Sequence, residues 1–258
     1  MVETQNATES IELLLNGTVQ GAALTLDETL LAIKQGIPLY IVLIFDVSSG
    51  ADVLMVKPHI KSLSELRGAR IGVETTAVGA LMLKKIMAKA GLLAADIKIV
   101  HINSNSHFTS WQNNTIDALI TYEPTATKIE QLGVTRLFDS REIPNTIFDV
   151  LAVRRNAAQA YSQQLQALIS SHFKAQRAWK TNPIDTAYRL SKRLGAQAED
   201  IQLFYRGLQL PDLIYNRHIL DGSASELNAL ATELATLINM NPNLIPADFF
   251  TAAYLPKS

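Results

Sequence analysis

Residues 13–76 run LLLNGTVQGAALTLDETLLAIKQGIPLYIVLIFDVSSGADVLMVKPHIKSLSELRGARIGVETT. Three features alternate along this stretch: short apolar runs, helical spacings of ten to fifteen residues, and Gly, Asp or Pro between them. That rhythm is the βα alternation of sheets covered on both faces. Ile11, Leu14 and Leu15 share one face of a helix over Ser10–Asn16, which Gly17 ends as a glycine beyond the last turn does. Residues 20–24 predict a brief strand. A helix over Thr25–Gln35 follows, with Thr25 as N-cap and Glu28 completing a capping box. Pro38 introduces Leu39–Phe45, whose unbroken apolar run predicts a buried strand. A second run, Asp52–Val56, stops at Lys57-Pro58.

Outward from this stretch the alternation continues. Strands are expected at Ala69–Val73, Ile97–Ile102, Asp117–Tyr122 and Val134–Phe138, with helices from Thr75 to Ala90, over His107–Asn113 and over Pro124–Gln131. Near residue 150 the character changes. Val150–Val153 predicts a strand, but the rest is helical: Ala158–Lys180, Pro183–Leu194, Ala198–Leu208 and Ser223–Ile238, with breaks at Asn182-Pro183, Asn216 and Asp221-Gly222. So helical a C-terminal half cannot build a sheet of its own, and its helices are expected to cover the sheet begun by residues 18–56. The expectation is an α/β chain of two lobes. Residues 1–58 and 145–258 form the first, 61–143 the second, and the chain crosses near 46–60 and 139–149.

Composition narrows the function. With 23 basic against 24 acidic residues, the net charge of -1 gives no electrostatic reason to bind nucleic acid, which needs a basic surface. The absence of cysteine removes thiol nucleophiles, disulfides and Cys-ligated metals from consideration. The longest apolar run, Leu39–Phe45, has about a third of the length a bilayer requires. Met1-Val2 leads into the polar ETQNATES with no leader pattern. His59, His101, His107, His172 and His218 are scattered, and no hydrolase elbow, phosphate loop or metalloprotease helix is present. No cofactor or metal is expected, and no catalytic residue is nominated.

The junctions where strands give way to helices hold the candidate site, because ligands of open α/β sheets lie beyond the strands' carboxyl ends. Helix N-termini there offer free N–H groups. Thr25 and Asp27 follow the first strand, and Ser48 and Ser49 stand at the first crossing. Thr75, Thr76 and Ala77 open the middle helix, Tyr122 and Glu123 end the strand at 117–122, and Asp149 stands at the second crossing. Each has a plainer role: the threonines as caps, the serines as turn residues, Asp27 on its own helix, Tyr122 in the core, Asp149 at a strand edge.

The quoted stretch, together with NNTIDALITYEP (113–124) and LFDSREIPNTIFDVLAVRR (137–155), resembles the periplasmic substrate-binding proteins of the sulfonate, taurine and nitrate group and the thiamine-pyrimidine (NMT1/THI5-like) group. The resemblance covers about residues 8–215. It implies a two-lobe fold of the periplasmic binding protein type II kind, a small ligand held in the cleft by the junction residues, hinge closure, and delivery to an ABC-type permease outside the cytoplasm. A ligand-sensing module of a signalling system is one alternative, and a biosynthetic enzyme of the thiamine-pyrimidine type another. The enzyme would need a reactive histidine at a junction, where none is expected. Against the family pattern a first strand and helix are missing, with Met1–Glu3 resembling the end of a second strand. An incomplete first lobe would expose a sheet edge and favour a homodimer. Asp27, Glu123 and Asp149, lacking an evident arginine partner, favour a neutral or amine-bearing, pyrimidine-like ligand over an oxyanion.

Overall fold

A computed structural model describes residues 1–74, 77–221 and 225–257. The elements run α1 (Ala7–Leu15), β1 (Gly21–Thr25), α2 (Leu26–Lys34), β2 (Leu39–Ser48), β3 (Val53–Val56), β4 (Arg70–Val73), α3 (Ala77–Ala90), β5 (Lys98–His101), α4 (His107–Gln112), β6 (Ala118–Thr121), α5 (Thr125–Glu130) and β7 (Arg136–Asp139). There follow β8 (Phe148–Arg154), α6 (Arg155–Ala160), α7 (Ser162–Thr181), α8 (Pro183–Leu194), α9 (Ala198–Phe204), β9 (Leu208–Gln209), α10 (Leu213–Leu220) and α11 (Ser225–Leu237). Contacts divide the chain into a first unit of Met1–Val47, Ile147–Ala198 and Gln209–Ser258, and a second of Ser48–Thr146 and Glu199–Leu208.

In the first unit β8 lies antiparallel between β1 and β2, so that Thr25 and Asp46 both sit opposite Asp149 at one end of the sheet. Leu39, Ile41, Val42, Leu43 and Ile44 are at most 1% exposed, as a run without alternation requires of a strand covered on both faces. The outer edge of β2 is closed piecemeal. Ile41 exchanges backbone hydrogen bonds with Phe249 and Thr251, and β9 pairs farther along. Between them the fully buried Asn216 accepts from Ile44 N at 2.7 Å and donates Nδ2 to Ile44 O at 3.1 Å. Asn216 is thus no break. It lies inside α10, where its amide imitates a strand backbone, and that long-range bonding overrides its weak helix propensity.

Two other helical readings are corrected. The helix expected over 158–180 is two, α6 and α7, parted at Tyr161. The one expected over 198–208 stops at Phe204, leaving Leu208–Gln209 to form β9. Residues 48–58, with β3, and residues 199–208, all placed by the sequence with the first lobe, cluster with the second unit. Gly207 makes this approach feasible: Ser49 N donates to its carbonyl at 2.8 Å, and a Cβ on Gly207 would fall 2.5 Å from Ala51 N. Met1–Thr4 form no strand.

The second unit holds a sheet in the order β5-β4-β6-β3-β7. β4 is parallel to β5 and β6, whereas β3 runs antiparallel to both β6 and β7. The alternation predicts parallel strands. β3 departs from that because it enters straight from β2 through Ser48–Asp52, with no crossover helix to reverse it. Its four residues are buried throughout. The carboxyl ends of β4, β5, β6 and β7 share one edge, and that edge carries the site.

Candidate functional site

At that edge Glu74, the residue after β4, gathers two neighbouring strand ends. Its Oε1 accepts from Ser104 N at 3.1 Å, in the turn after β5, and its Oε2 accepts from the Tyr122 hydroxyl at 3.2 Å, just past β6. Tyr122 is 41% exposed, and its ring stands edge-on to His107 with centroids 6.1 Å apart. His107 opens α4 and is 1% exposed. Its Nδ1 shares a 3.0 Å hydrogen bond with the hydroxyl of Thr121, itself 1% exposed, while the buried Nε2 has no hydrogen-bond partner. Burial lowers the His107 pKa, opposed by the nearby Glu74 charge. The imidazole is therefore neutral at pH 7, and the cluster carries the negative charge of Glu74.

This corrects the expectation that no histidine lies at a strand end. His107 is separated from Thr121 by fourteen residues, and only the parallel pairing of β5, β4 and β6 brings them together. Glu74 and Thr121 were not among the sequence candidates either. A carboxylate next to a Thr-Thr pair at a strand end was the available signal. Thr75 and Thr76 lie outside the described residues, and Ala77 is the first residue of α3.

Ser48, Ser49 and Glu123 fall elsewhere in the same unit. The Ser48 hydroxyl pairs with that of Ser140 at 2.7 Å and accepts from Asp52 N, while Ser140 Oγ also accepts from Gly50 N. Both serines are buried, so this hydroxyl pair fastens the turn between β2 and β3 to the end of β7. Glu123 accepts from Thr127 N in the first turn of α5 and from Arg136 at 3.0 Å. Arg136 also binds Glu130 and the carbonyl of Gly50. Glu123 does therefore have an arginine partner, supplied by β7, which no local pattern relates to the Glu-Pro pair. Ser49, Gly50, Glu123, Glu130, Arg136, Arg141 and Arg206 are among the residues lining a cavity of about 490 Å³. Two of its arginines are paired: Arg136 with two glutamates, Arg141 with Asp139.

In the first unit, Thr25 caps α2. Its hydroxyl accepts from Glu28 N at 3.4 Å, and Glu28 Oε2 returns a 2.9 Å bond to Thr25 N, giving the expected capping box. Asp27, in the first turn of α2, is 2% exposed. Asp149 stands opposite Thr25 across the β1–β8 pair, so the sheet brings Thr25, Asp46 and Asp149 to one end. Among the described residues no group of three His, Asp or Glu is placed to hold a metal ion, and no helix is long and apolar enough to cross a membrane.

Comparison with known proteins fits this architecture. Residues 1–194 match the model of the NMT1-like family. The taurine-binding periplasmic protein of Escherichia coli K12 is 24% identical over 176 residues, 67% of this chain and 55% of the relative; the chain thus spans little more than half of that protein. Among solved structures, the periplasmic aliphatic sulphonate binding protein SsuA of E. coli superposes with a TM-score of 0.78 at 18% identity, over 99% of this chain and 81% of the other. A cysteine-to-serine variant of the desulfurization enzyme DszB, in complex with biphenyl-2-sulfinic acid, shares the fold at a TM-score of 0.66 and 14% identity, over 95% of this chain and 86% of the other. The fold is that of the periplasmic binding proteins, and it also serves an enzyme.

Proposed function

The chain belongs to the NMT1-like family, and from that premise we propose that it captures a small polar solute outside the cytoplasm for an ABC-type permease, without making or breaking bonds. The polar cluster of Glu74, Tyr122, His107 and Thr121 carries this reading. It stands beyond the carboxyl ends of parallel strands, where open α/β sheets take their ligands, and its exposed member is a hydrogen-bonding phenol.

The same cluster argues against catalysis. A hydroxyl beside an imidazole is the arrangement of a nucleophile and its base, but Thr121 and His107 are each 1% exposed, a burial that suits a structural hydrogen bond better than attack on a substrate. The chain has no cysteine, so the residue altered in the DszB variant has no counterpart in kind. The taurine- and sulphonate-binding names of the relatives support solute capture as the activity.

Native mass spectrometry of the gently purified protein, followed by denaturation and identification of what is released, tests the proposal. A small solute near one equivalent is expected. An empty protein that gains no thermal stability from taurine, alkanesulfonates or aminopyrimidines would sink it.

A further inference from the structure

We propose that the solute bears a protonated amine, and that the second unit recognises it by docking the ammonium on the Glu74 carboxylate against the ring of Tyr122. This rests on the solute-binding reading above and narrows it to a ligand class.

Glu74 is half-buried, and among the described residues its two oxygens accept only from neutral donors, Ser104 N and the Tyr122 hydroxyl. An ionised carboxylate has about four acceptor positions, so two are left for a ligand. Among the described residues no lysine or arginine forms an ion pair with Glu74. Several arginines of this unit are paired with other carboxylates: Arg70 with Asp117, Arg136 with Glu123 and Glu130, Arg141 with Asp139. A partly desolvated carboxylate without a counter-ion is costly, and a cationic ligand relieves that cost where an anion would add to it.

Two neighbours point the same way. Tyr122 is 41% exposed beside the carboxylate, and its aromatic ring is of the kind that attracts ammonium groups. Burial also disfavours a positive charge on His107, so that ring does not offset Glu74 in favour of an anion. Glu123, by contrast, is paired with Arg136.

Isothermal titration of the full chain with two matched pairs decides the matter: taurine against ethanesulfonate, and 5-(aminomethyl)pyrimidine against 5-methylpyrimidine. In whichever pair binds, the amine-bearing member should bind at least ten-fold tighter. Glu74→Gln should erase that ratio, and Tyr122→Leu, which removes the ring, should narrow it. Ethanesulfonate binding as tightly as taurine would overturn the assignment while leaving solute capture intact. So would release of an amine-free solute from the purified protein. If Glu74→Gln lowers thermal stability but preserves the ratio, Glu74 is a clamp between strand ends and the assignment fails. No binding by any of the four, together with an empty protein in native mass spectra, defeats the solute-binding reading itself.

Discussion

His172 lies on α7 with its ring edge-on to Phe45 and Phe173, at centroid distances of 5.3 and 5.2 Å. Its Nε2 is buried without a hydrogen-bond partner, and burial lowers its pKa. A histidine less readily protonated in the folded than in the unfolded chain contributes stability that is complete above the ordinary imidazole value of about 6.5. That contribution is lost as pH falls from there through the lowered value. His172→Phe removes both the orphaned nitrogen and the proton uptake. Urea unfolding at pH 7.5 and 5.5 should therefore show a smaller acid loss in the variant than in the parent; equal losses would assign the acid sensitivity elsewhere. His107 titrates in the same direction, so the variant reduces the slope without abolishing it. Nothing local distinguishes these two histidines from the other three. Their environment comes from strands and helices remote in sequence.

Among the elements, α10 is hydrogen-bonded to β2 through the Asn216 side chain, while its Leu213 packs on the core cluster that includes Val42 and Leu43. Asn216→Ala would strand the N–H and C=O of Ile44 in a fully buried position, with a cost of about 2–4 kcal/mol. Chemical denaturation should show it as a lowered midpoint with an unchanged slope. A loss under ~0.5 kcal/mol would mean that the neighbouring contacts of Phe249 and Thr251 close this edge without help. Elements with a strong period or a firm cap were legible: α8 begins at Pro183 and ends at Leu194 before a left-handed Gly195, and the Thr25–Glu28 capping box opens α2. Those decided by tertiary pairing were not. β9 exists because Gly207 lets its backbone settle on Gly50–Ala51, and α10 because Asn216 finds a strand to bond.

For the molecule as a whole, a solute that binds the folded chain alone stabilises it by mass action. At 100 times its Kd the gain is about 2.7 kcal/mol. In a chain of this size that corresponds to a rise in Tm of roughly 5–10 °C. Differential scanning fluorimetry with the released solute should show that rise, and should show it diminished in Glu74→Gln. A flat response at saturating solute would contradict binding to the native fold.

By itself the sequence determined the α/β class, the positions of most strands and helices, the capping of α2, the family resemblance and the want of thiol chemistry. These follow from periodicity, turn residues and composition, all of which act over a few neighbouring residues. Only the tertiary structure decided that Glu123 is neutralised by Arg136, that Ser48 is fastened to Ser140, and that His107 meets Thr121 beside Glu74 and Tyr122. Those pairings join residues 13 to 92 positions apart. They exist because parallel and antiparallel strands bring remote strand ends to one edge of a sheet, where electrostatics and burial, rather than local propensity, set what each side chain can do.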